Sequence, residues 1–316
     1  MNLDDPVIAI IGAGAVGGYY GARLIQHGHQ VHLLTRSDCD SIRRKGMQIH
    51  SRDGDFSLSG KQINVYDDPR EMPKADLVVV TLKTTANDRL GELVGPVVKD
   101  ESIILTLQNG LGNEELLGSL FGDERVIGGM AFVCINRVGP GEIWHTDHGM
   151  IRVGEPRGGI TKRAERIAGL FSASGVPCDV LENLAHGRWD KLIWNVPFNG
   201  LGAALDMTTD QLIASNEGQS LVRKLCEEVI AACQPLNIMF DLNVIEEKIR
   251  HTQTMGAYRT SMQIDRQLGH RMEIEAIIGR PLRAAGMNSI ETPYLEMLYG
   301  MLSILDGRLL SKSIAP

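Results

Sequence analysis

The chain has 316 residues, 43% hydrophobic and 22% charged, which is ordinary for a soluble globular protein and too long for one ordinary core, so two domains are the default. A formal net charge of −7 argues against a nucleic-acid partner, which would need a basic face. No apolar run approaches the roughly 20 residues that cross a bilayer, so no membrane partner is expected.

The opening Met-Asn-Leu-Asp-Asp-Pro is acidic and leads into a strand, unlike a signal peptide. Residues 7–11 form a short apolar run entering a Gly-rich turn, as a buried parallel strand does. A helix over about 15–27, ended by Gly28, and a strand at 31–34 follow. Further β-branched strands are predicted at 77–81 and 103–107, with helical patterns at about 85–94 and 113–120. Alternating strands and helices imply an α/β, doubly wound parallel sheet. Residues 125–137 and 142–154, split by the turn Gly139-Pro140-Gly141, read as an antiparallel extension. A helix at about 160–173 and a strand at 178–182 complete this half.

From Asn183 onward the periodicity is helical, at about 185–204, 209–214, 217–235, 241–250, 262–268, 271–285 and 291–307. We therefore expect a dinucleotide-binding domain over 1–184 and an all-helical domain over 185–316, packed closely around a cleft. The tail after Leu310 is expected to fray. Five cysteines, an odd number without a C-x-x-C pair, read as reduced thiols of a cytoplasmic protein. His145 and His148 lack further ligands, so no metal is expected, and a hairpin surface is their expected place.

Gly12-Ala13-Gly14-Ala15-Val16-Gly17 is G-x-G-x-x-G between a strand and a helix. Gly12 permits the tight turn, Gly14 lets backbone N–H groups approach a pyrophosphate, and Gly17 lets the helix pack closely on the sheet. The helix N-terminus adds partial positive charge. NAD enzymes place an acid at the end of the second strand to hold the ribose 2′-hydroxyl. Here that strand ends Leu33-Leu34-Thr35-Arg36, and Arg36 offers a fork for a 2′-phosphate. NADP is therefore favoured over NAD, with Asp38 close enough to argue the other way. Arg43, Arg44 and Lys45 read as a solvated helix face. Lys83 and Asn109 fall at carboxyl ends of strands, where open sheets bind ligands. Position alone leaves each open between a ligand contact and a surface, capping or turn residue.

Lys191, Asn195 and Asn199 stand at i, i+4 and i+8 on one helix face. Trp189, Leu192, Ile193 and Val196 form an apolar stripe beside them. Such a helix docks by its apolar stripe and shows a cation and two amides, which suits the wall of a polar cleft. Pro197 should bend it between the amides.

These motifs resemble the 2-dehydropantoate 2-reductase (ketopantoate reductase) family over nearly the whole chain. The resemblance is carried by the glycine run, Thr81-Leu-Lys83, Asn109-Gly-Leu-Gly112, Trp189-Asp-Lys191-Leu with Asn195 and Asn199, and Thr260-Ser261-Met with Glu273 beyond. It implies NADPH-dependent reduction of ketopantoate to (R)-pantoate, towards pantothenate and coenzyme A. It also implies an N-terminal Rossmann domain, an all-helical C-terminal domain and an active site between them. Lys191 matches the family's catalytic lysine, an ammonium that polarises and protonates the keto oxygen unless strong desolvation neutralises it. Asn195 and Asn199 match substrate-binding amides, and Ser261 the residue holding the substrate carboxylate. Asn109 matches an amide near both cofactor and substrate. Lys83, Glu273 and Cys134, the last at the end of its strand, match cofactor contacts. The family commonly has a further substrate-binding Asn after the second amide; here Thr209, with a shorter reach, takes its place. A related 2-keto acid, hydroxyacid or opine dehydrogenase is the alternative enzyme. A non-catalytic NADP-sensing protein is the alternative outside enzymes, and the intact Lys191, Asn195, Asn199, Ser261 and Glu273 set argues against it. The expected partner is a small 2-keto acid; a homodimer is open, and the sequence does not select the oligomeric state.

Overall fold

The computed structural model describes residues 5–314. They fall into two units, one running to Gln108 and resuming over Asn113–Leu184, the other made of Asn109–Gly112 and the chain from Ala185 onward. The first unit begins β1 (Ile8–Ile11), α1 (Ala15–Gln26), β2 (Val31–Leu34), α2 (Cys39–Lys45), β3 (Met47–Ser51), β4 (Phe56–Leu58) and β5 (Asn64–Tyr66). It continues with β6 (Ala75–Val80), α3 (Leu90–Val94), β7 (Val98–Thr106), α4 (Asn113–Phe121), β8 (Val126–Gly139), β9 (Glu142–Gly154), α5 (Lys162–Ala173) and β10 (Cys178–Leu181).

One sheet runs β4-β3-β9-β8-β7-β6-β1-β2-β5, with β10 pairing β9. Strands β5, β2, β1, β6, β7 and β8 are parallel, and β9 returns antiparallel to β8. The sheet is doubly wound with an antiparallel extension, as expected. The strand order reverses at β1, which has β2 on one side and β6 on the other; ligands of such sheets bind at the carboxyl ends beside that switch. The apolar runs are continuous because both faces are buried. Ile8 and Ile10 join Leu77, Val79, Ile103 and Leu105 in one core, whereas Ala9 and Ile11 join Val78, Val80 and Ile104 in another.

Two expectations need correction. Strands β3, β4 and β5 have no counterpart in the sequence reading. Each is short, carries an exposed residue and pairs with a strand distant in the chain or with another such fragment. His145 is buried rather than at a hairpin surface. Its ring packs on Tyr19 with centroids 4.6 Å apart and shares a hydrogen bond of 2.9 Å with Ser51 Oγ. His148 is exposed.

The second unit holds α6 (Leu184–Leu205, whose first residue belongs to the first unit), α7 (Thr209–Ala214), α8 (Asn216–Cys233), α9 (Asn243–Thr254) and α10 (Ser261–Gln267). A π-helical turn (Glu275–Gly279) then leads into α11 (Arg280–Met287), and α12 (Pro293–Ile314) ends the described chain. No strand occurs among the described residues of this unit. The expected fraying after Leu310 meets a backbone that is helical through Ile314; Ala315 and Pro316 lie outside the described residues. Trp189, Leu192, Ile193 and Val196 of α6 are buried with residues of α8, α9, α11 and α12 in one core.

Candidate active site

In the first unit the glycine loop joins β1 to α1. Gly12 has φ 100°, a left-handed backbone that favours glycine, and a Cβ there would also press on Leu82. A Cβ on Gly17 would overlap Thr81 Oγ1 and the carbonyl of Gly12. That Thr81 hydroxyl donates to the Gly12 carbonyl at 2.8 Å, tying the loop to the end of β6. The N–H groups of Gly12 and Ala13 both go to the Leu34 carbonyl, and that of Gly14 to Gly12. The N–H groups of Ala15, Val16 and Gly17 head α1, where no intrahelical acceptor exists. The residues fit a dinucleotide phosphate. A Cβ on Gly14 would meet nothing nearer than 3.9 Å, so its openness serves no packing need of the protein. The first turn of α1 has neither a capping side chain nor an acid.

Arg36 lies just past β2 and is exposed. Two residues on, Asp38 is buried, and both its oxygens accept from Arg137 Nη1, at 3.0 and 2.9 Å. Ser37 Oγ adds a hydrogen bond of 2.9 Å. Arg43, Arg44 and Lys45 are exposed, as expected, with Arg43 bonding the Val65 carbonyl. Lys83 is exposed beyond β6. Cys134 is buried inside β8, not at its end, because the strand continues to Gly139.

In the second unit Lys191 projects from α6 half-buried, and its Nζ donates to Asn109 Oδ1 at 2.9 Å. Burial, with the Arg188 guanidinium next in effect, depresses the lysine pKa from its ordinary value to about 7, against the pull of Glu273. Arg188 and Glu273 are themselves buried. Arg188 is not among the residues singled out from the sequence, although its i−3 spacing from Lys191 places it on the same helix face. Asn195 and Asn199 are buried too. Asn199 Oδ1 accepts from Ser261 Oγ and from the Met262 N–H, each at 3.3 Å, so α6 and the start of α10 meet at this amide. Pro197 deprives the Ile193 carbonyl of its helical donor, and Cys226 Sγ supplies one at 3.1 Å. Thr209 departs from expectation. It is fully buried and its hydroxyl donates to the Gly256 carbonyl at 3.1 Å, so it anchors the 256–258 loop.

Asn109 reaches Lys191 through a clamp on the Asn109–Gly112 loop. In the π-helical turn the Arg280 N–H bonds the carbonyl of Glu275, five residues back, instead of that of Ala276. The next donor that register could offer Ala276 is Pro281, which has no N–H. The Ala276 carbonyl is thereby left to the Leu111 N–H, 3.0 Å away. Gly110 crosses the same carbonyl with φ 81°, at a distance no Cβ tolerates.

A doubly wound sheet with an open glycine loop, joined to a helical unit presenting a lysine of low pKa among amides, is the plan of a nicotinamide-dependent oxidoreductase. Comparison with known proteins narrows this. Residues 8–158 match the family described as ketopantoate reductase PanE/ApbA, and residues 183–306 its C-terminal family. The chain belongs to the ketopantoate reductase family. A 2-dehydropantoate 2-reductase of Nostoc sp. is 43% identical over 97% of this chain and 97% of its own length. The crystal structure of 2-dehydropantoate 2-reductase from Geobacter metallireducens matches with TM-score 0.91 and 43% identity, over 94% of this chain and 98% of that one. The enzyme of the same name from Methylococcus capsulatus matches with TM-score 0.85 and 32% identity, over 96% and 97%.

Proposed function

We propose that the chain reduces 2-dehydropantoate to (R)-pantoate with NADPH. The carrying observation is the Lys191–Asn109 hydrogen bond on a lysine whose pKa is about 7. An acid is most effective when its pKa lies near the working pH, because it is then both populated and willing to give up its proton. The bound nicotinamide supplies the hydride. Lys191 does the rest at the keto oxygen: its ammonium attracts the charge that develops there and transfers a proton from Nζ to it. Asn109 holds Nζ in place, and Glu273 favours the charged form. Asn195 and Asn199 orient the substrate hydroxyl, for which neutral amides suit better than charges. Ser261 takes the carboxylate.

In the first unit the N–H groups of Ala15, Val16 and Gly17 hold the pyrophosphate, with Gly12, Ala13 and Gly14 shaping the turn. Arg36 holds the 2′-phosphate. Lys83 and Cys134 are proposed as lesser cofactor contacts. The engagement of Asp38 by Arg137 supports NADPH over NADH, since the acid near the ribose is already occupied. A cytoplasmic location is supported by five cysteines, none of which forms a disulfide among the described residues.

The test is NADPH oxidation with ketopantoate beside a panel of 2-keto acids lacking its hydroxyl. Ketopantoate should lead in kcat/KM by at least about a hundredfold, because unpaired amides penalise the analogues. Equal rates across the panel would reject the substrate assignment.

A further inference from the structure

Arg137 and Asp38 are 99 residues apart in the chain, yet form an ion pair at the end of β2. The β8–β9 hairpin brings the arginine there. Asp38 follows Arg36 by two residues, in the turn that the reading above gives to the adenosine ribose. Left to itself, a carboxylate in that turn would repel a 2′-phosphate and could accept a hydrogen bond from a 2′-hydroxyl instead. In this chain Asp38 is 3% exposed and both of its carboxylate oxygens are turned to Arg137 Nη1. The arginine side chain stays 39% exposed. With Arg36, Asp38 and Arg137 counted together, the turn carries one net positive charge; without Arg137 it carries none.

We propose that Arg137 is a specificity-determining residue for the cofactor. It holds Asp38 away from the ribose and cancels its charge, so that Arg36 meets a 2′-phosphate without a competing anion. The pair also explains how a turn reading Thr-Arg-Ser-Asp, with an acid so near the ribose, serves NADP. The inference rests on the NADPH reading but makes a separate claim: the preference depends on a residue from the hairpin, not on Arg36 alone.

The experiment measures the dissociation constants of NADP⁺ and NAD⁺ by calorimetry, without turnover. The unchanged protein tests the NADPH reading: it should bind NADP⁺ more tightly, and an NAD⁺ preference would reject that reading and this inference with it. Given that preference, Arg137→Met should lower the NADP⁺ over NAD⁺ affinity ratio by roughly tenfold or more, chiefly by weakening NADP⁺, as an uncancelled charge near a phosphate does. The double variant Asp38→Asn with Arg137→Met removes both charges and should recover most of the ratio. If Arg137→Met proves poorly folded, the single variant Asp38→Asn decides, since it should keep or raise the ratio while leaving Arg137 in place. Equal weakening of both dinucleotides by Arg137→Met, a purely structural effect, would overturn the proposal. So would a lower ratio in Asp38→Asn.

Discussion

Lys191 shows how one half-buried lysine links stability to the proposed chemistry. Its folded pKa of about 7 lies below the ordinary lysine value, so the folded state holds fewer protons than the unfolded one between those limits. The folded state is therefore at its greatest relative disadvantage at or below pH 7, and this eases as pH rises towards the ordinary lysine range. Lys191→Met, which removes the charge but keeps the bulk, should raise the melting temperature near pH 7, and the gain should shrink by pH 10. One kcal/mol corresponds to about 2–4 °C in a protein of this size. Melts of both proteins at the two pH values check this; a constant difference would mean that the lysine is not perturbed. With Lys191 as the proposed proton donor, the same pKa predicts that turnover in the reducing direction falls as pH rises through about 7, because the donor is lost. The spacing of Lys191, Asn195 and Asn199 was readable from helical periodicity alone. The low pKa was not, because it depends on Arg188 and on burial by elements elsewhere in the chain.

At the scale of elements, the proposed functional positions depend on irregularities in otherwise regular structure. Pro197 interrupts α6 and is compensated by Cys226; the π-helical turn and Pro281 release the Ala276 carbonyl to Leu111. Gly110→Ala should expose the second device. Its Cβ would collide with the Ala276 carbonyl, and φ 81° would be strained for any other residue. We expect the melting temperature to drop by several degrees and turnover to fall by at least roughly tenfold, since small displacements at a reacting centre are costly. A destabilised variant with unchanged kcat would show that the clamp does not serve Asn109. Such devices are hard to read from one sequence. A proline is visible, but the carbonyl it frees and the donor that takes it, 33 residues apart in the case of Ile193 and Cys226, come together only in the fold.

For the whole molecule, the two units were legible because their periodicities differ: β-branched runs alternating with helices, then helices alone. The strands of β1, β6 and β7 announced themselves by continuous apolar sequence, since both faces of that part of the sheet are buried. The short β3, β4 and β5 did not, because their pairing partners, not their own sequences, make them strands. The same division holds for the site. Gly12, Gly14 and Gly17 lie within a single local motif, whereas Arg137 and Thr81 act on residues far away in sequence. The proposed chemistry turns on Lys191, and the most direct measurement is single-turnover NADPH oxidation by Lys191→Ala with saturating ketopantoate, alongside an NADPH titration and a thermal melt. A folded variant that binds NADPH normally and has lost about two to three orders of magnitude in rate is the predicted result. A folded, NADPH-binding variant with near-normal turnover would contradict Lys191 as the proton donor, and with it the mechanism.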